Sequence, residues 1–317
     1  MKAMMANRVH QFGGPEVITF EEIARPVPGP GEVLVRVHAA GVGPWDGWVR
    51  SGHSAIAQSL PLTLGSDIAG TVEAVGPGSS PHFSVGQPVF GVTNKRFTGG
   101  YAQFAIAHES TVAPAPRNCK IVEAASIPVT AVTAWQMLFQ LTAVTAGQRV
   151  LVHGAAGNVG AWAVQLAHSA GAIVLASVRG SESLEARALG ADDVFELSEK
   201  STREHRATVD VVIDTVGGDS QKALYEYLRP GGTLVSAVSE PNAALAQNHA
   251  VRAVFFMVNV TTQDLTRIAE LLESDRLTVR VGEVLPLEAA RRAHEMLEGS
   301  RRKGSGKIVL STGAERI

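Results

Sequence analysis

Apolar and polar residues alternate along several short segments in the first third of the chain. Residues 32–38 (EVLVRVH) have the two-residue period of a half-buried strand, and the turn cluster PVPGPG at 26–31 precedes them. The pattern also predicts strands at 68–75, 87–92 and 101–106, with glycine or proline beside them. Short strands with such turns are typical of a small barrel or sandwich domain.

The pattern changes near residue 122, where strand-length and helix-length apolar segments begin to alternate. The predicted strands are residues 149–153, 173–177, 209–214 and 232–236, and the predicted helices are 161–168, 183–189 and 221–228. This alternation predicts βαβ units around a parallel sheet with helices on both faces. The predicted class is therefore α/β.

The C-terminal residues return to mixed structure. Helices are predicted at 265–272 and 287–297, and a final strand at 307–310. We therefore expect two domains. A β domain is formed by residues 1–122 and 266–317, and the inserted residues 123–265 form the parallel-sheet domain.

Composition and charge exclude several classes of function. With 28 Lys+Arg against 30 Asp+Glu, the formal net charge of -2 gives no field to attract nucleic acid or an anionic membrane. The basic run at 301–303 is therefore interpreted as a solvated loop. No run approaches the roughly 18 apolar residues of a spanning helix, and the N-terminus does not resemble a secretory signal. The single cysteine, Cys119, excludes an intrachain disulfide framework, and we expect a cytoplasmic protein.

The segment 150–160 (VLVHGAAGNVG) carries the strongest chemical signal. A buried strand enters a glycine turn and a helix leaves it, which is the setting of a dinucleotide phosphate site. Glycines let the backbone approach a pyrophosphate, and the N–H groups at the helix start attract its charge. Ala155 stands where the G-x-G-x-x-G pattern has its first glycine. The alternative is an ordinary turn between a strand and a helix.

The end of the next predicted strand favours one dinucleotide over the other. An NAD site expects an acidic residue about 20 residues after the glycines, whereas this chain has Arg179, in the sequence SVRG. A guanidinium can hold a 2′-phosphate that a carboxylate would repel. NADPH is therefore the predicted cofactor. The alternative is a solvated Arg179, with Glu182 binding the ribose.

With these residues, the chain resembles the medium-chain dehydrogenase/reductase superfamily and, within it, the zinc-free NADPH:quinone oxidoreductases of the zeta-crystallin type. The resemblance covers nearly the whole chain. Its motifs are FGGPEV (12–17), PGEVLV (30–35), AAGV (39–42), GSDIAG (65–70), GGYA (99–102), PVTAVTAW (128–135), HGAAGNVG (153–160), DTVGG (214–218) and GKIVL (306–310). It implies a GroES-like β domain plus a doubly wound, Rossmann parallel-sheet domain. The implied reaction is hydride transfer from NADPH to a quinone or an α,β-unsaturated carbonyl.

Two positions separate the chain from the superfamily's zinc alcohol dehydrogenases. Those enzymes have a cysteine where this chain has Gly43, and a His-Glu pair where it has Ser66-Asp67. A catalytic zinc needs about three protein ligands and an open position. No metal site is therefore predicted, and His153 is interpreted as a packed histidine rather than a ligand. A zinc-type alcohol dehydrogenase remains as an alternative.

The chain also departs from the quinone reductases beside the expected nicotinamide site. Many of them have Asn at the position of Gly43 and Tyr at that of Trp48, and in the family those side chains lie by the nicotinamide. Trp48 is a candidate active-site residue, with a core aromatic as the alternative. Asp46 is the candidate proton donor, with a turn-capping carboxylate as the alternative.

The resemblance also implies a set of cofactor contacts. Thr130 is expected near the nicotinamide, as is the segment 255–259 with Phe256 and Val258, which then forms an edge strand. The other expected contacts are Ala156, Gly157, Asn158 and Val159 at the pyrophosphate, Ser177 and Arg179 at the 2′-phosphate, Val216 and Gly217 on the adenosine side, Val238 and Ser239 after the following strand, and Lys307. The edge strand implies a homodimer. The competing interpretation is a non-catalytic NADPH-binding or chaperone-like protein.

Overall fold

The computed structural model describes residues 2–78, 82–300 and 305–313, and the basic run 301–303 lies outside these residues. The chain divides into two compact units. One is Met1–Val129 with Val260–Ile317, and the other is Thr130–Asn259. The boundaries expected from the sequence, at 122/123 and 265/266, differ from the limits of these units.

Hydrogen bonds explain why the segments next to both boundaries belong to the first unit. The Val129 N–H donates to Asp67 Oδ1 at 3.4 Å, which holds the helical segment before it on the β structure. The Thr262 hydroxyl donates to the carbonyls of Glu109 and Val112, each at 2.8 Å. A change of composition along the chain does not reveal such contacts, because they join residues far apart in sequence.

The first part of the chain is mainly strands. They are β1 (Ala3–Val9), β2 (Thr19–Ala24), β3 (Glu32–Val42), β4 (Leu62–Thr63), β5 (Asp67–Val75), β6 (Pro88–Val92), β7 (Phe104–His108) and β8 (Val112–Pro114), with helices α1 (Pro44–Ser51) and α2 (Ile121–Ala124). Short 3-10 turns occur at Pro15–Val17 and Glu109–Thr111. The strand predicted at 101–106 begins later, at Phe104, since Tyr101 is fully buried and its N–H bonds to the Leu64 carbonyl.

The second unit alternates helices and strands. Its elements are α3 (Pro128–Trp135, which starts just before the unit), a π-helix (Gln136–Leu141), β9 (Arg149–His153), α4 (Asn158–Ser169), β10 (Ile173–Ser177), α5 (Ser183–Ala188), β11 (Asp193–Phe195), α6 (Glu199–His205), β12 (Val209–Asp214), α7 (Gln221–Leu224), β13 (Leu228–Ser236), α8 (Ala243–Asn248) and β14 (Arg252–Phe255). Its 3-10 turns are Gly180–Glu182, Gly218–Ser220 and Tyr225–Tyr227.

The chain then returns to the first unit. The remaining elements are α9 (Thr262–Glu273), β15 (Val281–Pro286), a 3-10 turn (Leu287–Ala289), α10 (Ala290–Leu297) and β16 (Lys307–Ser311). Strand β16 pairs antiparallel with β3 and parallel with β15. The returning segment therefore completes the sheet that the N-terminal residues begin.

Strand β3 organises the first unit. It pairs with β5 along its length, with β7 at its start and with β16 at its end. Six strands of this seven-stranded sheet have the order β15-β16-β3-β5-β6-β8, and β7 is the seventh, paired with β3 outside that order. A second, three-stranded sheet has the order β2-β1-β4. Val33, Val35 and Val37 of β3 are buried in the core, whereas Arg36 is exposed. The alternation read from the sequence is thus the alternation of core and solvent sides.

All neighbouring strands of the second unit's sheet are parallel, and their order is β11-β10-β9-β12-β13-β14. The chain runs outwards in one direction from β9 and then in the other from β12, so the order reverses between these two strands. This is the doubly wound arrangement, in which ligands bind outside the carboxyl ends of the strands at the reversal. The predicted parallel sheet and α/β class are confirmed.

Candidate functional site

The glycine turn lies at the reversal point of the parallel sheet, between β9 and α4. Gly154 has φ +79°, and a Cβ there would lie 2.6 Å from side-chain atoms of Thr215 and Val216. A Cβ at Gly160 would lie 2.1 Å from the Gly154 carbonyl oxygen. Both positions therefore require glycine, because a side chain at either one would collide with nearby atoms of this chain.

Helix α4 begins in this turn. Its N-cap is Gly157, and the Gly157 N–H bonds back to the Gly154 carbonyl at 2.9 Å. The first turn of a helix leaves N–H groups without intrahelical partners, and the helix dipole adds partial positive charge there. Asn158 and Val159 are in that first turn, and Ala156 and Gly157 lead into it. The shape and charge of this turn fit a dinucleotide pyrophosphate.

The residues expected at the 2′-phosphate have different surroundings. Arg179 is exposed, and within the described part of the chain no ion pair engages its guanidinium. Ser177 is buried, with its Oγ 2.8 Å from His153 Nδ1. Glu182 accepts the Arg179 N–H at 3.2 Å, and Glu196 accepts the Gly180 N–H. Arg179 is thus available to a phosphate, whereas the Ser177 hydroxyl holds a histidine.

A buried polar network lies under the carboxyl ends of β9, β10, β12 and β13, and sequence reasoning missed it. His153 contacts Ser177 through Nδ1, and its other ring nitrogen, Nε2, is 2.9 Å from Ser220 Oγ. Burial keeps the pKa of His153 below its ordinary value; the charge of Arg179 lowers it further, and that of Asp214 opposes both. The imidazole is therefore neutral at pH 7. It is a packed residue, as the sequence indicated, and it links the end of β10 to the turn Gly218–Ser220.

Asp214 is the centre of the network on the other side of the reversal. Its Oδ1 accepts the N–H groups of Val216 and Gly217 at 3.1 and 2.9 Å. Its Oδ2 accepts from Gln221 and Ser236, both at 2.9 Å. A carboxylate at the end of the apolar strand VDVVID was the available signal, because such a buried group requires partners.

The two predicted turns after β12 and β13 come together. A Cβ at Gly217, where φ is +70°, would lie 2.7 Å from Ser239 Oγ. The Ser236 hydroxyl accepts the N–H groups of Val238 and Ser239, each at 3.3 Å. The side chains of Val216 and Val238 are more than a third exposed. The two turns therefore form one edge beside the glycine turn.

The remaining expected cofactor residues of this unit lie on α3 and after β14. Thr130 is buried on α3. Phe256 and Val258 are half-buried, and the Phe256 N–H donates to the Ser236 carbonyl at 3.1 Å. The edge strand precedes the segment 256–259 instead of following it, since β14 already ends at Phe255.

In the β unit, Trp45 fills the space beside Gly43. A Cβ at Gly43 would lie 2.3–2.5 Å from the Trp45 ring carbons. The indole N–H donates to Ser66 Oγ at 3.1 Å, and Lys307 Nζ lies 4.3 Å from the ring centroid. The indole thus occupies the space that a side chain at position 43 would take, and no pattern along the chain predicted that Trp45 fills it.

Lys307 is paired inside this unit. Its Nζ donates to Asp67 Oδ2 at 2.7 Å, and the two side chains are 2% and 0% exposed. Burial raises the pKa of the Asp67 carboxyl, and the charge of Lys307 opposes that rise. The expectation that Lys307 reaches the cofactor does not match this position, because the buried carboxylate holds the ammonium group.

Asp46 is completely buried near the start of α1. Its Oδ2 accepts the Gly43 N–H and the Tyr101 hydroxyl, both at 2.8 Å. Burial raises its pKa to about 7, although both hydrogen bonds lower it. The carboxyl caps the helix as the alternative interpretation proposes, whereas a proton donor must touch its substrate. Trp48, by contrast, is 49% exposed, which differs from a core aromatic.

The residues at the positions that hold zinc in the superfamily's alcohol dehydrogenases do not fit a catalytic zinc. Gly43 has no side chain, Ser66 Oγ accepts the indole N–H, and Asp67 is paired with Lys307. In residues 2–78, 82–300 and 305–313, no group of three or more His, Cys, Asp or Glu could hold a metal ion. Among the helices that the structure describes, none is long and apolar enough to span a membrane.

Known proteins resemble the chain at the levels of domain, sequence and structure. Residues 29–117 match the family model of the alcohol dehydrogenase GroES-like domain, and residues 189–310 match that of a zinc-binding dehydrogenase. A quinone oxidoreductase of Sus scrofa is 34% identical over 330 residues, covering 98% of each chain. These matches confirm the GroES-like fold of the β unit.

Solved structures agree with the sequence relatives. A quinone oxidoreductase from Coxiella burnetii has a TM-score of 0.89 and 28% identity, covering 98% of this chain and 100% of that one. A mycobacterial protein solved as a complex with NADPH has a TM-score of 0.84 and 33% identity, covering 97% and 99%. The chain therefore belongs to the medium-chain dehydrogenase/reductase superfamily, within its quinone oxidoreductase family, and is an oxidoreductase.

Proposed function

We propose that this protein transfers hydride from NADPH to a quinone or an α,β-unsaturated carbonyl compound without a metal ion. The observation that carries the proposal is the glycine turn at the reversal of the parallel sheet, followed by an exposed Arg179 on the next strand end. The mycobacterial neighbour with bound NADPH supports the cofactor, and the quinone oxidoreductase relatives support the acceptor.

The residues of the turn would hold the phosphates. Asn158 and Val159 offer the backbone N–H groups of a helix N-terminus to the pyrophosphate, and Ala156 and Gly157 form the turn that leads into it. Arg179 supplies a guanidinium for the 2′-phosphate, with the fork geometry that suits phosphate oxygens. The Val216–Gly217 and Val238–Ser239 turns form an edge along which the ribose and the second mononucleotide would lie.

Hydride transfer needs positioning more than acid or base groups. The reduced nicotinamide supplies the hydride when bound, and the protein aligns it with the acceptor and excludes water. Thr130, Phe256 and Val258 are the residues we propose at that end of the cofactor, and Trp48 offers an exposed aromatic surface to the acceptor. A quinone that has accepted the hydride needs one further proton, which solvent can supply, so no buried acid such as Asp46 is needed.

The side chains at the positions that hold zinc in the superfamily's alcohol dehydrogenases support a reaction without a metal ion. A Lewis acid would need donors that Gly43 lacks and that Ser66 and Asp67 already commit to Trp45 and Lys307. An electron-poor acceptor can accept hydride without a metal ion that polarises its carbonyl group. Elemental analysis of the purified protein is expected to find far less than one zinc per chain, and stoichiometric zinc would contradict the metal-free step.

The direct test is consumption of NADPH with a panel of quinones, alkenals and enones, with NADH run in parallel. We expect turnover with at least one acceptor class and a preference for NADPH. Tight NADPH binding without turnover on any acceptor would instead indicate a non-catalytic binding protein. No binding of NADPH would contradict the proposal as a whole.

Arg179→Ala tests the choice of cofactor. Loss of a charge-assisted phosphate contact is expected to weaken NADPH binding by about 1–3 kcal/mol and to leave NADH binding nearly unchanged. Arg203→Ala, which removes another exposed arginine of the same unit, is the matched control. Fluorescence titration with both cofactors measures the effect, and an unaltered preference for NADPH would refute the assignment.

The proposal includes a cytoplasmic homodimer. Strand β14 is an edge of the six-stranded sheet, and such an edge can pair with a second copy. The single cysteine, whose pKa burial raises to about 11, suits a reducing compartment and is a poor nucleophile. Light scattering at micromolar concentration tests the dimer, and a monomer there would contradict it.

A further inference from the structure

A side-chain clamp holds the segment that follows β14, here called the strap (residues 256–259). The Gln136 amide N–H donates to the Asn259 carbonyl at 2.7 Å, and the Gln136 carbonyl oxygen accepts the Asn259 N–H at 3.2 Å. Gln136 is only 6% exposed. Both backbone polar groups of Asn259 are thus satisfied by one side chain, as they would be by a neighbouring strand.

The strap is therefore fixed at its two ends. At its start, the Phe256 N–H donates to the Ser236 carbonyl at 3.1 Å. At its end, Gln136 holds Asn259, whereas Met257 between them is 55% exposed. Nearby, Arg252 of β14 donates to the Leu141 carbonyl at 3.2 Å, at the end of the π-helix that Gln136 begins. Irregular backbone held in this way keeps a defined course without belonging to the sheet.

The fold places the strap at one end of the proposed cofactor. In a doubly wound sheet, a dinucleotide crosses the carboxyl ends of the strands with its pyrophosphate at the reversal. The adenosine ribose lies toward β10, so the second mononucleotide lies toward β13 and β14, where the strap begins. The helix that carries Thr130 continues directly into the π-helix that carries Gln136.

We propose that Gln136 is a positioning residue that holds the strap against the nicotinamide ring of NADPH, without itself touching the cofactor. This inference rests on the proposed NADPH binding. Without the clamp, the strap gains freedom that cofactor binding must then remove. The adenosine, 2′-phosphate and pyrophosphate contacts lie on other strand ends and do not depend on Gln136.

The test compares NADPH with 2′-phospho-ADP-ribose, a fragment that lacks the nicotinamide ring. In Gln136→Leu we expect the dissociation constant for NADPH to rise about tenfold, and that for the fragment to stay within about twofold. Gln136→Glu keeps the side-chain oxygen that accepts the Asn259 N–H but replaces the donor with a second oxygen, which repels the Asn259 carbonyl. It is therefore expected to behave like Gln136→Leu. The KM for NADPH should rise more than kcat falls.

The control is Gln165→Leu, which removes another buried glutamine amide of the same unit, on α4. It is expected to change both dissociation constants little. Equal weakening of NADPH and fragment in Gln136→Leu would show a general loss of structure and overturn the inference, as would unchanged binding of both. If wild type binds neither molecule, the proposed function fails instead.

Discussion

The glycine turn of the parallel-sheet unit and the buried polar cluster of the β unit (Trp45, Asp46, Asp67, Tyr101 and Lys307) are built in opposite ways. The turn is made of backbone from one continuous segment, and it has glycines where an added Cβ would lie only 2.1–2.6 Å from neighbouring atoms. The cluster is made of side chains from β5, α1, β16 and the loop before β7. Tyr101 donates to Asp46 at 2.8 Å and Lys307 donates to Asp67 at 2.7 Å, and the Trp45 ring lies beside the Lys307 ammonium group.

This difference predicts different responses to substitution. A backbone site gains its binding properties from local geometry, so its failure should affect ligand binding. A buried set of charges has already lost its hydration, so removing one member leaves another without compensation. The cluster should therefore respond mainly in stability and in its dependence on pH. Three substitutions test this, from the largest expected effect to the smallest.

Lys307→Met should give the largest effect. It leaves the buried Asp67 carboxylate without its partner, and we expect a loss of about 3–5 kcal/mol in the free energy of unfolding. Adding Asp67→Asn should restore most of this loss, because the buried charge is then absent. Urea denaturation measures both. The exposed pair Lys222–Asp219 provides the control, since Lys222→Met is expected to change stability little.

A small effect of Lys307→Met, similar to that of the exposed control, would break the comparison. It would mean that water or a local shift compensates Asp67. The same experiment is informative on binding, because a structural lysine should leave the affinity for NADPH nearly unchanged in protein that remains folded. If Lys307 instead held the cofactor, its replacement would lower the affinity for NADPH.

Asp46→Asn should change how stability depends on pH. The folded pKa of about 7 lies above the ordinary value of 3.8, so folding favours the protonated carboxyl. The stability that the wild-type carboxyl contributes is present below pH 4 and is lost as the pH rises toward 7. About three pKa units correspond to about 4 kcal/mol, which is an upper limit. The asparagine of the variant does not titrate, so the variant should lack this part of the pH dependence.

Urea denaturation of both proteins between pH 4.5 and pH 8 at intervals of about one unit checks this sign. The wild type should lose stability relative to Asp46→Asn as the pH rises. A constant difference across this range would show that the carboxyl is ionised throughout. Tyr101→Phe sharpens the result, because it removes a hydrogen bond that lowers the pKa of Asp46 and should move the transition to higher pH.

Gly43→Asn should give a smaller loss, of about 1–3 kcal/mol, because the new side chain enters the space of the Trp45 ring. Asparagine is otherwise favourable at this position, which is the N-cap of α1. Adding Trp45→Ala should recover stability relative to the sum of the single changes. Gly47→Asn is the control, since nothing lies within 4 Å of a Cβ there. If the effects of the two single substitutions are additive, the residue-43 side chain and the Trp45 ring do not compete for the same space.

The sequence predicted the elements of the parallel-sheet unit more closely than those of the β unit. The strands at 149–153, 173–177 and 209–214 have the predicted bounds, because buried parallel strands are mainly apolar runs that stand out along the chain. The short strand β11 was missed, and the edge strand β14 lies before the segment 256–259 and not after it as expected, since three or four residues carry no clear period. In the β unit, the strand near Tyr101 was displaced because a buried aromatic residue need not lie in a strand.

The sequence by itself determined the class of fold and the position of the glycine turn, and it singled out Arg179 as the residue proposed to favour NADPH. These features depend on neighbouring residues, whose spacing is visible in the chain. Only the tertiary structure decided what surrounds Asp46, Ser177 and Lys307. Their partners, from Tyr101 and His153 to Asp67, lie 24 to 240 positions away along the chain. Burial then sets the charge and availability of such groups, and burial is a property of the folded chain alone.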